Sequence, residues 1–341
     1  MIEAISNGAQ GNSSAISSGP FACRICGGTA GASHRASEKM FGTGDSFDYF
    51  ECNDCRCLQI MEVPADLGRY YPSHYYSFAA PAEADGGTRG AIRELLLRMV
   101  LRAPTRLREK ALLELPWYRL GATQASLQMA LLAKHRHARI LDVGAGGGRL
   151  VRSLAHMGFV NALGIDPFIA GDVMEGGRCL VRKADIYAID QPFDLIMMHH
   201  ALEHMDDHLP ILRHARSILD RSGVLLIRVP VADCHCWRHY GTDWVQLDAP
   251  RHLILHSRDS LERLASQAGL AVAGIRYDST SFQFSGSELY RRGIPLIDAE
   301  GRSNHTAKFL SPEMLEDFAR RARELNAAQD GDQLCIFLRH G

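Results

Sequence analysis

The chain has 341 residues, 38 Lys and Arg against 39 Asp and Glu, and 46% hydrophobic residues. At about 150 residues per domain this length accommodates two domains, each able to bury a core without disulfides. A net charge of −1 excludes nucleic-acid binding by bulk charge, and no stretch reaches about 18 apolar residues free of charge, which excludes a membrane-spanning helix.

Residues 1–20 are rich in Ser, Gly and Asn, with no basic n-region and no apolar h-region. They read as a disordered lead-in rather than a secretory signal, so the expected location is cytoplasmic, where thiols stay reduced. Nine cysteines in that setting read first as metal ligands, reactive thiols or small core residues.

Residues 21–62 carry two CxxC knuckles, Cys23-Arg-Ile-Cys26 and Cys52-Asn-Asp-Cys55, with 25 residues between them. Zn²⁺ takes four soft ligands in a tetrahedron, and two such turns supply them without strain. The spacing predicts a zinc ribbon holding one structural Zn²⁺. A redox CxxC would instead open a helix in a βαβ unit, a context missing here. Cys57 is a spare thiol, disfavoured by its one-residue gap from Cys55.

Residues 63–118 hold the aromatic piece RYYPSHYYSF, a polar linker and a helical run broken near Pro104. The Arg-rich part at 89–110 reads as a solvated face, with an anionic surface or RNA as the alternative. From 119 to 341 short apolar runs alternate with helical segments, the signature of a doubly wound α/β domain with a mostly parallel sheet. Strands are predicted at 138–144, 161–166, 179–185, 194–199, 223–230, 271–277 and 333–340. Two of the predicted helices, 207–223 and 257–269, each end at a glycine. Segments 231–256 and 280–330 read as insertions that cover or shape a site.

The run Ile140-Leu141-Asp142-Val143-Gly144-Ala145-Gly146-Gly147-Gly148-Arg149 follows a strand and opens a helix. Such a turn lets the backbone approach a nucleotide-like ligand. Arg149 occupies the place of the third glycine of a dinucleotide loop, which argues against a pyrophosphate. The next strand ends in Asp166, whose carboxylate would accept both ribose hydroxyls of a nucleoside. The third ends at Asp185-Ile186, positioned for an adenine amino group. The fourth ends in His199 and His200. All these ends lie on the carboxyl edge of one sheet, where open α/β sheets bind ligands.

DVGAGGG, GIDP, ADI and FDLIMMHHALEHMDD, in that order, resemble the class I S-adenosylmethionine-dependent methyltransferases over about residues 138–280. The resemblance implies S-adenosylmethionine as cofactor. It gives the methionine part to the loop at Asp142, Gly144 and Gly146, the ribose to Asp166 and the adenine to Asp185 and Ile186. Gly148 and His199 complete the candidate donor site. A narrower resemblance joins the CxxC pairs, YYPSHYYS, LEH and LDAPRHLILHS to bacterial methyltransferases of polysaccharide or modified-sugar synthesis. It implies a small-molecule or glycan acceptor, a sugar or sugar nucleotide. LEH also resembles quinone-pathway O-methyltransferases, some of which bind a divalent metal through E-x-x-E-H; His200 here replaces the first acid. Transfer to RNA and a non-catalytic nucleoside-binding module are the alternatives.

His200-Ala-Leu-Glu203-His204 spells an inverted zinc-protease motif, but it sits at a strand end and not on the helix that motif needs. The candidates for taking a proton from the acceptor are His252, His204 and His199, because a neutral imidazole suits that task. His252 stands in a segment whose aromatics, Trp237, Tyr240 and Trp244, suit stacking on a ring.

Overall fold

The computed structural model describes residues 21–72 and 137–341, with Leu95 and Met99 between them. The lead-in at 1–20 and nearly all of the helical run before residue 118 lie outside the described residues. The strands are β1 (Gly31–Ser37), β2 (Ser46–Cys52), β3 (Leu58–Ile60), β4 (Ile140–Val143), β5 (Ala162–Ile165), β6 (Val173–Glu175), β7 (Arg178–Arg182), β8 (Phe193–His199), β9 (Leu219–Pro230), β10 (Ile254–Leu255), β11 (Leu270–Tyr277) and β12 (Gln333–His340). The helices are α1 (Arg149–His156), α2 (His208–Ser217), α3 (His235–Tyr240), α4 (Arg258–Gln267), α5 (Phe282–Arg291) and α6 (Pro312–Ala327).

Eight strands form one sheet in the order β11-β12-β9-β8-β4-β5-β7-β6. From β7 through β5, β4 and β8 to β9 the pairings are parallel, because α1 and α2 act as crossovers. β12 then inserts antiparallel between β9 and β11. Strands covered on both faces read as continuous aliphatic runs, and β8 shows why. Leu195 and Met197 face Val151 and Leu154 of α1, while Ile196 and Met198 face Ile211 and Leu212 of α2 and Leu261 of α4.

Two sequence expectations are corrected. The helix expected over 207–223 stops at Ser217, and Leu219 already pairs with Phe193 as the start of β9. A glycine ends a helix by entering the left-handed region; Gly269 does so after α4 at φ +73°, whereas Gly223 lies within β9 and is not among the positive-φ residues. The hairpin strand β6 was not anticipated, being three half-exposed or exposed residues long.

The second sheet is antiparallel, in the order β1-β2-β3-β10. Its fourth strand, β10, is distant in sequence from the other three and lies within segment 231–256, expected to cover or shape a site. Cys52, Cys55, Leu58 and Ile60 share one buried core with Trp237, Trp244, Leu253, Phe284 and Phe318. The cysteine module is thus built into segments 231–256 and 280–330, whose aromatics need it as cover.

Candidate active site at the carboxyl edge of the sheet

Gly144 and Ala145 both donate backbone N–H to the Ile165 carbonyl, at 2.9 and 3.0 Å, lashing the loop to β5. Gly144 has φ +76°, and a Cβ there would stand 2.6 Å from the Ala201 Cβ. Gly148, at φ +82°, precedes α1, and a Cβ there would meet Val181 Cγ2 at 2.5 Å. Only glycine fits either position. The loop therefore lies against β7 on one side and against the segment after β8 on the other.

The Asp166 carboxylate is fixed by this loop. Its Oδ2 accepts from Gly146 N at 2.9 Å and its Oδ1 from Phe168 N at 2.8 Å. Each oxygen keeps a lone pair for a further donor. Asp142 is 4% exposed, and burial, then the Asp166 charge, pushes its carboxyl up to about 7. Two buried carboxylates side by side favour a cationic ligand. Asp185 accepts from Ala188 N at 3.1 Å and starts a single 3-10 turn, Ile186–Ala188, in which Ile186 is buried. Asp142, Asp166 and Asp185 thus stand on or just beyond three neighbouring strands, β4, β5 and β7.

His199 ends β8. Both ring nitrogens are buried without a hydrogen-bond partner, and burial, then the Arg228 charge, holds the imidazole down at about 3, so it is neutral. His200 turns at φ +49°, a conformation costing roughly 1 kcal/mol for a non-glycine residue. Its Nε2 accepts from Arg228 at 3.2 Å, so its Nδ1 carries the proton and donates to Glu203 Oε1 at 3.2 Å. Glu203 is fully buried, and its Oε2 has no partner. Burial would raise the Glu203 carboxyl, but the hydrogen bond from His200 holds it down, at about 2.

The backbone carbonyl of Glu203 accepts from Leu253 N at 2.7 Å, which draws residues 248–256 onto the turn after β8. His252 is 5% exposed, with Nδ1 bonded to the Gln246 carbonyl at 2.7 Å. Burial, then the His204 charge, lowers its imidazole to about 4. His204 Nδ1 donates to the Arg251 carbonyl at 2.9 Å, and the two imidazoles meet edge to face at 4.7 Å between centroids. Arg251, fully buried, holds this segment by bonding Asp248 at 2.6 Å and Glu38 of the cysteine module at 2.9 Å. His199, His204 and His252 therefore belong to one flank of the edge, opposite the Asp166 flank. Glu38 and Arg228 carried no sequence signal, since their partners are far away in the chain.

Cys23, Cys26, Cys52 and Cys55 place one sulfur each within 4.8 Å of all the others. The Cys26–Cys52 separation of 3.5 Å is far longer than a disulfide bond. Four converging free thiols fit a tetrahedral Zn²⁺. Cys57 lies 3.2 Å from Cys55 and accepts, as Cys23 does, from Gln59 Nε2, but it is outside the four mutually close sulfurs.

A family described as "Methyltransferase domain" matches residues 92–274, just over half of the chain. Among curated proteins, the ubiquinone biosynthesis O-methyltransferase of Xanthomonas euvesicatoria is 29% identical over 158 residues, covering 42% of this chain and 65% of that protein. The mitochondrial enzyme of the same name from Saccharomyces cerevisiae is 31% identical, covering 36% of this chain and 44% of that protein. The chain thus spans less than two thirds of the length of the curated relatives it matches. Among solved structures, the O-methyltransferase of a trans-AT PKS multienzyme from Brevibacillus brevis, in complex with S-adenosyl-L-homocysteine, is 15% identical, covering 72% of this chain and 80% of that one, with a TM-score of 0.41.

Proposed function

The chain belongs to the methyltransferase-domain family, and on that premise we propose that it moves a methyl group from S-adenosylmethionine to a hydroxyl oxygen of a small-molecule acceptor. The observation that carries this reading is the Asp166 carboxylate, pinned by Gly146 N and Phe168 N beside the glycine loop with lone pairs left for two ribose hydroxyls. The residues fit the donor in charge as well. Asp142 and Asp166 offer negative charge to a ligand bearing a sulfonium and an ammonium group. Gly144 and Gly146 bring the backbone close to the methionine part, and Asp185 and Ile186 border the adenine.

When bound, S-adenosylmethionine supplies an electrophilic methyl carbon: the acceptor oxygen forms a bond to it as the carbon–sulfur bond breaks and its electron pair returns to sulfur. The chain aligns acceptor and donor and excludes water. His199, whose imidazole is neutral with both nitrogens unengaged, accepts a hydrogen bond from the acceptor hydroxyl and aims its oxygen, and the proton leaves to solvent as the new bond forms. His204 and His252 flank the same edge on the acceptor side. Cys23, Cys26, Cys52 and Cys55 hold a structural Zn²⁺. The module they form backs the acceptor wall.

Two acceptor classes have separate support. The names of the curated relatives favour a phenolic hydroxyl such as a quinone precursor carries. The CxxC pairs and LDAPRHLILHS favour a sugar or sugar nucleotide. Tritiated methyl from S-adenosylmethionine, offered with a catechol, a nucleotide sugar or fractionated cell extract, tests the reading. Label in an extractable product supports it and identifies the acceptor. Failure of the protein to bind S-adenosylmethionine in calorimetry, or tight binding of NADH instead, refutes it.

A further inference from the structure

His199 on β8 and Arg228 on β9 are direct partners in the parallel ladder. Side chains alternate along a strand, so both lie on the face that Leu195 and Met197 turn to α1, at the carboxyl ends of neighbouring strands about 4.8 Å apart. The donor residues stand on or just beyond β4, β5 and β7, and β8 and β9 continue the same edge away from them. Arg228 is held in two directions. Its Nε donates to Asp278 Oδ2 at 2.8 Å, and the other oxygen of Asp278, the residue after β11, accepts from Gln333 Nε2 at 2.7 Å. Its Nη1 donates to His200 Nε2 at 3.2 Å. A guanidinium carries five N–H donors. Two are spent here, which leaves one on Nη1 and both on Nη2 without a partner among the described residues.

Other arginines of this chain show what a purely structural tie looks like. Arg251 is answered by two carboxylates, Asp248 and Glu38, and Arg139 by Asp194 and Asp220. Arg228 has Asp278 alone among the described residues. Arg251 is also fully buried, whereas Arg228 keeps 20% of its side chain exposed and its unpaired Nη2 is not buried. Charge points the same way. After burial, the Arg228 charge does most to hold the His199 imidazole down, ahead of the opposing Asp278 and Glu203 carboxylates. The edge beside His199 is therefore governed by a cation with N–H groups free to donate. A group that answers them accepts without donating, and the bonds are strongest when it is anionic.

We infer that Arg228 sets acceptor specificity by binding an anionic oxygen group, a carboxylate or a phosphate, that the acceptor carries beside the hydroxyl aimed by His199. The imidazole takes the hydroxyl hydrogen, and the guanidinium takes oxygens that only accept, so the pair fixes which end of the acceptor faces the donor. A phenolic acid and a sugar phosphate both meet this requirement; a plain catechol and a free sugar do not. A lysine could not replace the arginine, because a point charge would not hold Asp278, His200 and the ligand in one plane. The inference rests on the proposed function for the hydroxyl, whereas anion binding is measured without turnover.

The probes are two matched pairs, salicylate with salicylamide and glucose 1-phosphate with methyl glucoside. Each is titrated calorimetrically into the zinc-loaded full chain saturated with S-adenosylhomocysteine. At least one anion should bind saturably and about tenfold or more tighter than its neutral partner, and the pair that shows the preference tells carboxylate from phosphate. Arg228→Gln should bring that pair to within about threefold, with S-adenosylmethionine affinity unchanged. That unchanged affinity shows that the variant folds; if it does not, Arg228→Gln combined with Asp278→Asn removes both charges and gives the same readout. A preference below about threefold in both pairs of the wild-type chain, failure of all four probes to bind included, overturns the inference. So does a preference that survives in the folded variant. Either result leaves the methyltransferase reading standing if donor binding and label transfer persist. Absence of donor binding refutes that reading whatever the probes do.

Discussion

Asp142→Asn tests whether the donor side is as dry and as negative as its geometry requires. The native carboxyl is held near 7 by burial and by Asp166, against about 3.9 in the unfolded chain. Three pH units correspond to about 4 kcal/mol. The sign follows from the raised value. Between pH 4 and 7 the folded chain keeps its proton while the unfolded chain has released it, so stability falls as pH rises. The contribution is complete below about pH 4 and is lost as pH passes through about 7. Asn copies the shape without the charge and removes this slope. Urea unfolding of the donor-free protein should therefore show wild type losing about 2.5 kcal/mol relative to Asp142→Asn between pH 5 and 8. Taking the difference between the two proteins cancels the other titrating groups, provided they are independent. Parallel profiles, agreeing within about 0.5 kcal/mol, would refute the reasoning: Asp142 would then be solvated, and the pocket would not favour a cation through it.

Asp166→Ala removes the acceptor for the ribose hydroxyls. Losing charge-assisted bonds of about 1.5–3 kcal/mol should weaken S-adenosylmethionine tenfold or more in calorimetry, and unchanged affinity would sink that role. Gly144→Ala must place a methyl 2.6 Å from the Ala201 Cβ at φ +76°; left-handed strain and overpacking together should cost about 2–4 kcal/mol in unfolding experiments. Cys26→Ser should lower zinc to well below one per chain by elemental analysis, whereas Cys57→Ser should keep it, since Cys57 is outside the four mutually close sulfurs. Equal zinc in both variants would reverse that assignment.

What was legible in the sequence is what is local. Strands β4, β5 and β8 were readable because a parallel sheet covered on both faces demands continuous aliphatic runs, and β11 and β12, which pair antiparallel, because β-branched and aromatic residues mark them. The glycine loop was readable because positive φ and close approach leave one residue type. The CxxC pairs were readable because a knuckle is four residues long. The beginning of β9 was misread because Leu219-Asp-Arg-Ser carries no β-branched residue, and its pairing with β8 overrides propensity. The meeting of Glu203 with His252 was illegible for a different reason. It depends on Leu253 N reaching the Glu203 carbonyl and on Arg251 reaching Glu38, contacts made across the fold. A histidine-rich segment announced itself; the direction of each imidazole did not.

The core shared between the cysteine sheet and residues 232–325 has a consequence for anyone dissecting the chain. The boundary near residue 62 is a seam in the sequence and not in the solid. A truncation beginning there would strip β10 of its partner β3 and expose Trp237, Trp244 and Phe284 to water. It would also free Arg251 from Glu38. Such a fragment should aggregate rather than behave as a minimal enzyme. Chelation should act in the same direction by a gentler route, loosening the wall around His252 while the Asp166 flank keeps its order. Grafting the ribbon onto a foreign methyltransferase should fail for the converse reason, because half of its interior is supplied by the chain it was cut from.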